Sequence, residues 1–269
     1  MRKAFYISDG TAITSEVFGH ALLSLFPTKL EHITIPFVET VEQAEETKQL
    51  INDSRCPEEG RAIVFHTFVD SDLRDIIASA DAMEYDFLGY FTTQLERELR
   101  VEAVPKTHRT HSMHEKTYDN RIDAMNYALT NDDGATMKNL DDADIILIGV
   151  SRSGKTPTSL YLALQYGIKA ANYPFVEEDM DNLRLPPEIK ANKEKVFGLT
   201  ITPQRLSAIR NERQANSRYS SIRQCRLELR EVEALYRKER IPYLDSTHHS
   251  VEEISAKIMA ETGLQRNKY

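Results

Sequence analysis

The string GVSRSGKTPTS, Gly149 to Ser159, follows the apolar run ADIILI and constrains this chain more than any other stretch. Gly149, Gly154, Lys155 and Thr156 fill every fixed position of G-x-x-x-x-G-K-[ST], with a strand pattern before it and the helical PTSLYLALQY after it. At average glycine content a chance match in a chain of 269 residues is on the order of one per cent. Each residue type has a physical reason. Glycines let backbone amides turn inward around an anion, and the start of the helix adds the positive end of its dipole. The candidate nucleotide-binding residues are therefore Gly149, Val150, Ser151, Arg152, Ser153, Gly154, Lys155 and Thr156. Lys155 is expected to reach the outer phosphate from a surface loop without supporting the core, and Thr156 to ligate Mg²⁺. Pro157 falls in the first helical turn, where its missing N–H costs little.

Composition limits what such a loop belongs to. With 41% hydrophobic and 28% charged residues and no low-complexity tract, the chain has enough apolar material for two cores. The net charge of -8 argues against nucleic acid or an anionic membrane as the partner, so an anionic ligand needs a focused local site. Cys56 and Cys225 stand far apart, no signal-peptide pattern opens the chain, and no run has the length of a membrane span. The expectation is a reduced, cytoplasmic protein.

Strand and helix patterns alternate, which predicts an α/β fold. KAFYIS, HITIPFV and AIVFHTF read as strands, separated by a helix carrying Val17, Phe18, Ala21, Leu22 and Leu25 at helical spacing and by a second helix near residues 41–52. This is an N-terminal βαβ-type domain, assigned to residues 1–105. A polar stretch with Pro105 and three histidines marks the junction, and residues 106–269 are assigned to a C-terminal P-loop kinase-like α/β domain. There a helix places Ile122, Met125 and Leu129 on one face. IKAANYPF and EKVFGLTI are further strands, and a long helix over about 219–240 aligns Ile222, Cys225, Leu229, Val232 and Tyr236. Ser250 and Glu253 form a capping box for the last helix. No internal repeat is visible.

A phosphate cradle does not name a reaction. The eukaryotic protein-kinase set of Gly-rich loop, H-R-D and D-F-G is absent, and Asn192-Lys193-Glu194-Lys195 lacks the aspartate that closes a guanine-reading N-K-x-D. The strings FYISDGTAITSE, RIDAMNYALTNDDGA, GVSRSGKTPTS, AANYPF, FGLTITPQRLSAIRNER, NSRYSSIRQC and STHHSVEEISAKI carry a resemblance over nearly the whole length. Together they resemble the bacterial phosphoenolpyruvate synthase regulatory proteins, a family related to the plant pyruvate phosphate dikinase regulators. The resemblance implies a bifunctional, dimeric enzyme acting on phosphoenolpyruvate synthase. It implies an ADP-dependent serine/threonine kinase, and a pyrophosphorylase that uses inorganic phosphate to remove the phosphoryl group as pyrophosphate. Ala12 departs from the family's usual S-D-G-T-G-I-T, where a second glycine stands.

Candidate residues follow for each step. Gly154, Lys155 and Thr156 hold the donor diphosphate with Mg²⁺. Arg152 either meets the transferring phosphoryl group or points to solvent. A base or metal-ordering carboxylate is needed, with Asp132 and Asp133 of NDDG and Asp245 after IPYL as candidates, each equally readable as a turn or capping residue. Arg205, Arg210, Arg213, Arg218, Arg223, Arg226 and Arg230 form a cationic stretch that either receives phosphothreonine or pairs with Glu212, Glu228 and Glu231 on a solvated face. His108, His111 and His114 lack the partners of a zinc set. The turn ISDGTAIT is a secondary phosphate candidate. Two other readings of the loop stand beside the regulator: a small-molecule kinase, and a non-catalytic module that senses ADP.

Overall fold

Four short parallel strands form the sheet of each of two units, Met1–Ser112 and Met113–Tyr269. The computed structural model describes residues 1–56, 60–104, 115–176, 179–180 and 183–265. The expected junction at 105/106 and the histidines His108, His111 and His114 lie outside the described residues.

The first unit runs β1 (Lys3–Ile7), α1 (Ile13–Leu23), β2 (Glu31–Ile35), α2 (Val41–Asp53), β3 (Ala62–His66), α3 (Ser71–Ala78), β4 (Ala82–Asp86) and α4 (Phe87–Leu99). Its strand order is β2-β1-β3-β4, all parallel. Ala4 to Ile7 of β1 are wholly buried, as a central parallel strand covered on both faces requires. Phe5, Ile7 and Val64 pack with Ala44 and Ile51 of α2 and Leu73 and Ile77 of α3. Tyr6 and Phe65 occupy the opposite face.

Against that face α1 corrects the sequence expectation. The helix buries Ser15 and Gly19, while Val17, Phe18 and Leu25 stay exposed. The reason is steric: a Cβ on Gly19 would lie 2.5 Å from the Tyr6 ring and 2.9 Å from Phe65. Two large rings already fill the space opposite Gly19, so a small residue is needed there, while Leu22 packs against the same cluster as expected. Helix α3, strand β4 and helix α4 extend the unit beyond the three predicted strands: AMEYD alternates in exposure, and α4 buries no residue fully within this unit.

The second unit runs α5 (Glu115–Thr130), β5 (Ile145–Val150), α6 (Lys155–Tyr166), β6 (Ala170–Phe175), α7 (Pro187–Ala191), β7 (Val196–Thr200), α8 (Pro203–Arg213), α9 (Ile222–Glu239), β8 (Tyr243–Asp245) and α10 (Val251–Thr262). The order β6-β5-β7-β8 repeats that of the first sheet, a repeat of topology that the sequence does not display. With β5 between β6 and β7, the loop after β5 sits where successive connections diverge, the place at which open parallel sheets bind ligands.

Local signals hold here. Gly167 ends α6 in a left-handed cap, and Ser250 and Glu253 close the capping box of α10. Cys225, Leu229, Val232 and Tyr236 are buried along α9, with Ile222 at its exposed start. For α5 the expected face holds only at Met125, which packs beside the α5–α6 contact. Ala124 and Ala128 are buried against Ala163 of α6, while Ile122 and Leu129 are exposed, because alanines allow the closer helix approach. Among the described residues no helix is long and apolar enough to cross a membrane.

Candidate functional site at the glycine loop

All six residues of β5 are buried, so the strand delivers the loop from a fixed base. The two motif glycines are required for different reasons. A Cβ on Gly149 would lie 2.5 Å from the Leu199 carbonyl oxygen and 2.9 Å from Ser153 Oγ, so close packing demands glycine there. Gly154 has open space around it but φ of +96°, a backbone conformation that favours glycine. Arg152 adopts φ of +75° without that freedom. Helix α6 starts at Lys155 with no side-chain cap hydrogen bond at Gly154, and an uncapped helix start of this kind suits an anion. Ser153 is fully buried and its Oγ has no hydrogen-bond partner.

Lys155 corrects the surface-loop expectation. Its side chain is 3% exposed and its Nζ donates to the Val150 carbonyl at 3.0 Å, spanning the loop from inside. Burial pushes the ammonium down to about 8, with nearby Arg210 acting in the same direction and Asp133 and Asp132 opposing. An anion in the loop would offer this amine a better partner than a backbone carbonyl.

Two of the three candidate carboxylates meet the loop. Asp132 and Asp133 form a one-turn helix with Gly134 after α5. Thr156 Oγ1 donates to Asp132 Oδ1 at 2.9 Å. Asn172, buried on β6, donates from its amide to the same Asp132 oxygen and accepts from the Asp133 N–H at 3.1 Å. Asp133 has φ of +49° and an exposed side chain. Asp245, by contrast, ends β8, with β7 between it and β5, and its Oδ1 accepts from the N–H and hydroxyl of Thr247. That geometry is a turn cap. Its neighbour Ser246 reaches the loop instead, donating to the Ser153 carbonyl at 2.9 Å and contacting the Thr200 carbonyl at 3.0 Å.

Sequence reasoning missed Asn172 and Ser246. Asn172 had one available signal, a lone amide inside the apolar strand IKAANYPF, where a buried polar group needs a partner. The arginine stretch divides. Arg205, Arg213, Arg218, Arg223, Arg226 and Arg230 are exposed, whereas Arg210 is wholly buried and ion-paired with Glu228 at 2.7 Å. Arg210 is therefore withdrawn from any phosphothreonine-receiving surface, and Glu228 pairs across two helices rather than along one. Thr156 and Asp132 present adjacent hard oxygen donors, the chemistry Mg²⁺ takes, so the residues present fit that ion.

The fold is a parallel α/β sheet whose central strand β5 runs through a glycine loop into α6, with the Asp132 carboxylate against Thr156 at the helix start. A family model described as kinase/pyrophosphorylase matches residues 4–259, and the chain belongs to that family. Among curated relatives, a protein of Pseudoalteromonas translucida (strain TAC 125) is 64% identical over 269 residues, covering all of both chains. One from Alteromonas mediterranea is 65% identical over 270 residues and one from Colwellia psychrerythraea 63% over 269, again covering 100% of each chain. All three are described as "Putative phosphoenolpyruvate synthase regulatory protein".

Proposed function

We propose that this protein is a bifunctional regulator of phosphoenolpyruvate synthase. In one direction it is an ADP-dependent serine/threonine kinase, and in the other a phosphate-dependent pyrophosphorylase. The observation that carries this reading is the meeting of Lys155, Thr156 and Asp132 at one loop, in a chain whose relatives bear that regulator's name over their full length. The resemblance of the sequence strings further supports ADP as donor, a homodimer and a cytoplasmic setting.

In the kinase direction the β-phosphoryl group of ADP passes to the hydroxyl of the target residue, leaving AMP. Phosphoryl transfer is mainly positioning and charge neutralisation. Val150, Ser151, Gly154 and the first-turn amides of α6 bind the diphosphate, and Lys155 turns from the Val150 carbonyl to the outer phosphate. Thr156 and Asp132 would hold Mg²⁺, which would supply neutralising charge to the phosphate oxygens. Asp133, exposed at the mouth, accepts the target hydroxyl proton. Arg152, exposed on the loop, is assigned to the group being transferred.

In the reverse direction inorganic phosphate attacks the phosphorylated residue, so one P–O bond forms, the bond to the protein oxygen breaks, and pyrophosphate leaves. Two anions must approach each other, and Lys155, Arg152 and the α6 amides offset their repulsion. The experiment is incubation with ADP labelled in its β-phosphate, phosphoenolpyruvate synthase and, separately, candidate metabolites. Label on the synthase supports the proposal. Label on a metabolite makes the protein a small-molecule kinase, and bound but untransferred ADP makes it a sensing module.

A further inference from the structure

Arg210 heads the largest fully buried side chains, and its charge is neutralised inside the unit rather than at a surface. Its NH2 group donates to Glu228 Oε2 at 2.7 Å, and Gln224 secures the other carboxylate oxygen at 3.0 Å. A buried ion pair contributes little net stability because desolvation offsets its attraction. The remaining contacts give it another use. The same NH2 group donates to the carbonyl of Ser151 at 3.2 Å, NH1 donates to the carbonyl of Tyr219 at 3.1 Å, and the guanidinium lies 4.1 Å from the centre of the Tyr219 ring. Tyr219 then shares a hydrogen bond between its hydroxyl and Ser151 Oγ at 3.1 Å.

Ser151 is thus gripped through both its main chain and its side chain. The next residue is Arg152, at φ of +75°, where a residue with a Cβ is strained by roughly 1–2 kcal/mol. A loop carrying that strain relaxes unless its neighbours hold it.

We propose that Arg210 and Tyr219 form a clasp on Ser151 that holds the glycine loop, Arg152 included, in its anion-accepting turn before any ligand arrives. Both are positioning residues: neither is assigned a contact with the reacting atoms. Glu228 and Gln224 orient the guanidinium so that two of its N–H groups face main-chain carbonyls. The function of the clasp rests on the reading of the loop as the ADP site, whereas its mechanical effect on the loop does not.

Tyr219→Phe is the informative change, because it deletes the hydroxyl and keeps the ring against Arg210. In the unliganded full chain, amide hydrogen exchange across residues 150–155 should rise about two- to tenfold, the size of one net hydrogen bond. The affinity for ADP, read by calorimetry, should fall by a similar factor while the melting temperature falls by only a few degrees. In the R152G background the strain is gone, so the accepting turn stays populated without the clasp. There Tyr219→Phe should change ADP affinity by less than about twofold. Because the Arg152 side chain is absent from both members of that second pair, its own contribution cancels.

Unchanged loop exchange in Y219F, or the same loss of affinity in both backgrounds, overturns the proposal. Arg210→Lys gives a second route, since lysine keeps the charge for Glu228 but loses the planar two-carbonyl fork, and loop exchange should rise again. If the wild-type protein binds no ADP while Y219F still loosens the loop, the clasp stands and the reading of its ligand fails.

Discussion

Thr156 donates its hydroxyl proton to Asp132 across 2.9 Å, joining the first turn of α6 to a carboxylate 24 positions earlier in the chain. The contact is the hinge of the proposed site, because it sets a hydroxyl and a carboxylate side by side at the end of the glycine loop. Replacing Asp132 by Asn or Thr156 by Val should weaken Mg²⁺-supported ADP binding by at least about 10-fold, since losing even the outer partner of a metal ligand costs about 10- to 100-fold. A calorimetric titration of ADP with and without Mg²⁺ checks this. Equal losses in both conditions would remove the metal role.

Lys155→Met keeps most of the buried volume while removing the charge. ADP and phosphate binding should drop at least tenfold with the secondary structure intact, as read by circular dichroism beside calorimetry. Full kinase activity in a folded variant would end the assignment of this lysine to the phosphates.

The same lysine predicts a pH dependence. Burial depresses its value from 10.5 to about 8, so the folded chain binds the proton less readily than the unfolded one. The cost of charging it is fully present below about pH 8, and stability rises as pH increases from about 8 toward 10.5. ADP affinity should move the opposite way, weakening as the amine deprotonates through about pH 8, where the diphosphate is already ionised. K155M should flatten both profiles.

Asn172→Ala should disorder the carboxylate turn without touching the loop. It removes the amide that bridges Asp132 and the Asp133 N–H, leaving buried polar groups unpaired at a cost of about 1–3 kcal/mol. The expected result is a lowered melting temperature with both a lower kcat and a weaker affinity for ADP, because Asp133 and Asp132 share the turn that Asn172 holds. A change in KM alone would place Asn172 with the nucleotide instead.

Gly149→Ala and Gly154→Ala should separate the two glycine requirements. The first drives a methyl into the Leu199 carbonyl and should destabilise the fold by about 1–3 kcal/mol in urea unfolding. The second meets open space, so its main effect should be on loop conformation, read as lost ADP affinity with a smaller change in stability.

Sequence alone determined the features that are local in physics. The glycine loop was legible because its fixed residues serve the geometry of one turn and one helix start. The Gly167 stop, the α10 capping box and the alternation of strand and helix were legible because each is settled within a few residues. Asp132 and Asp133 could be named as candidates from the turn they build, but not placed.

Only the tertiary structure decided which candidates meet. Asp132 reaches Thr156 with Asn172 of β6 holding the same carboxylate oxygen, and Asp245 is turned to Thr247 at the end of β8. Lys155 is buried because the loop folds around its own lysine, and Arg210 leaves its arginine-rich stretch because Glu228 meets it from α9. The helix faces of α1 and α5 follow the same rule: rings of Tyr6 and Phe65, and the alanines of neighbouring helices, select small residues over larger apolar ones at the same spacing. Periodicity reports which positions share a face, whereas the shape of the opposing surface decides which face is buried.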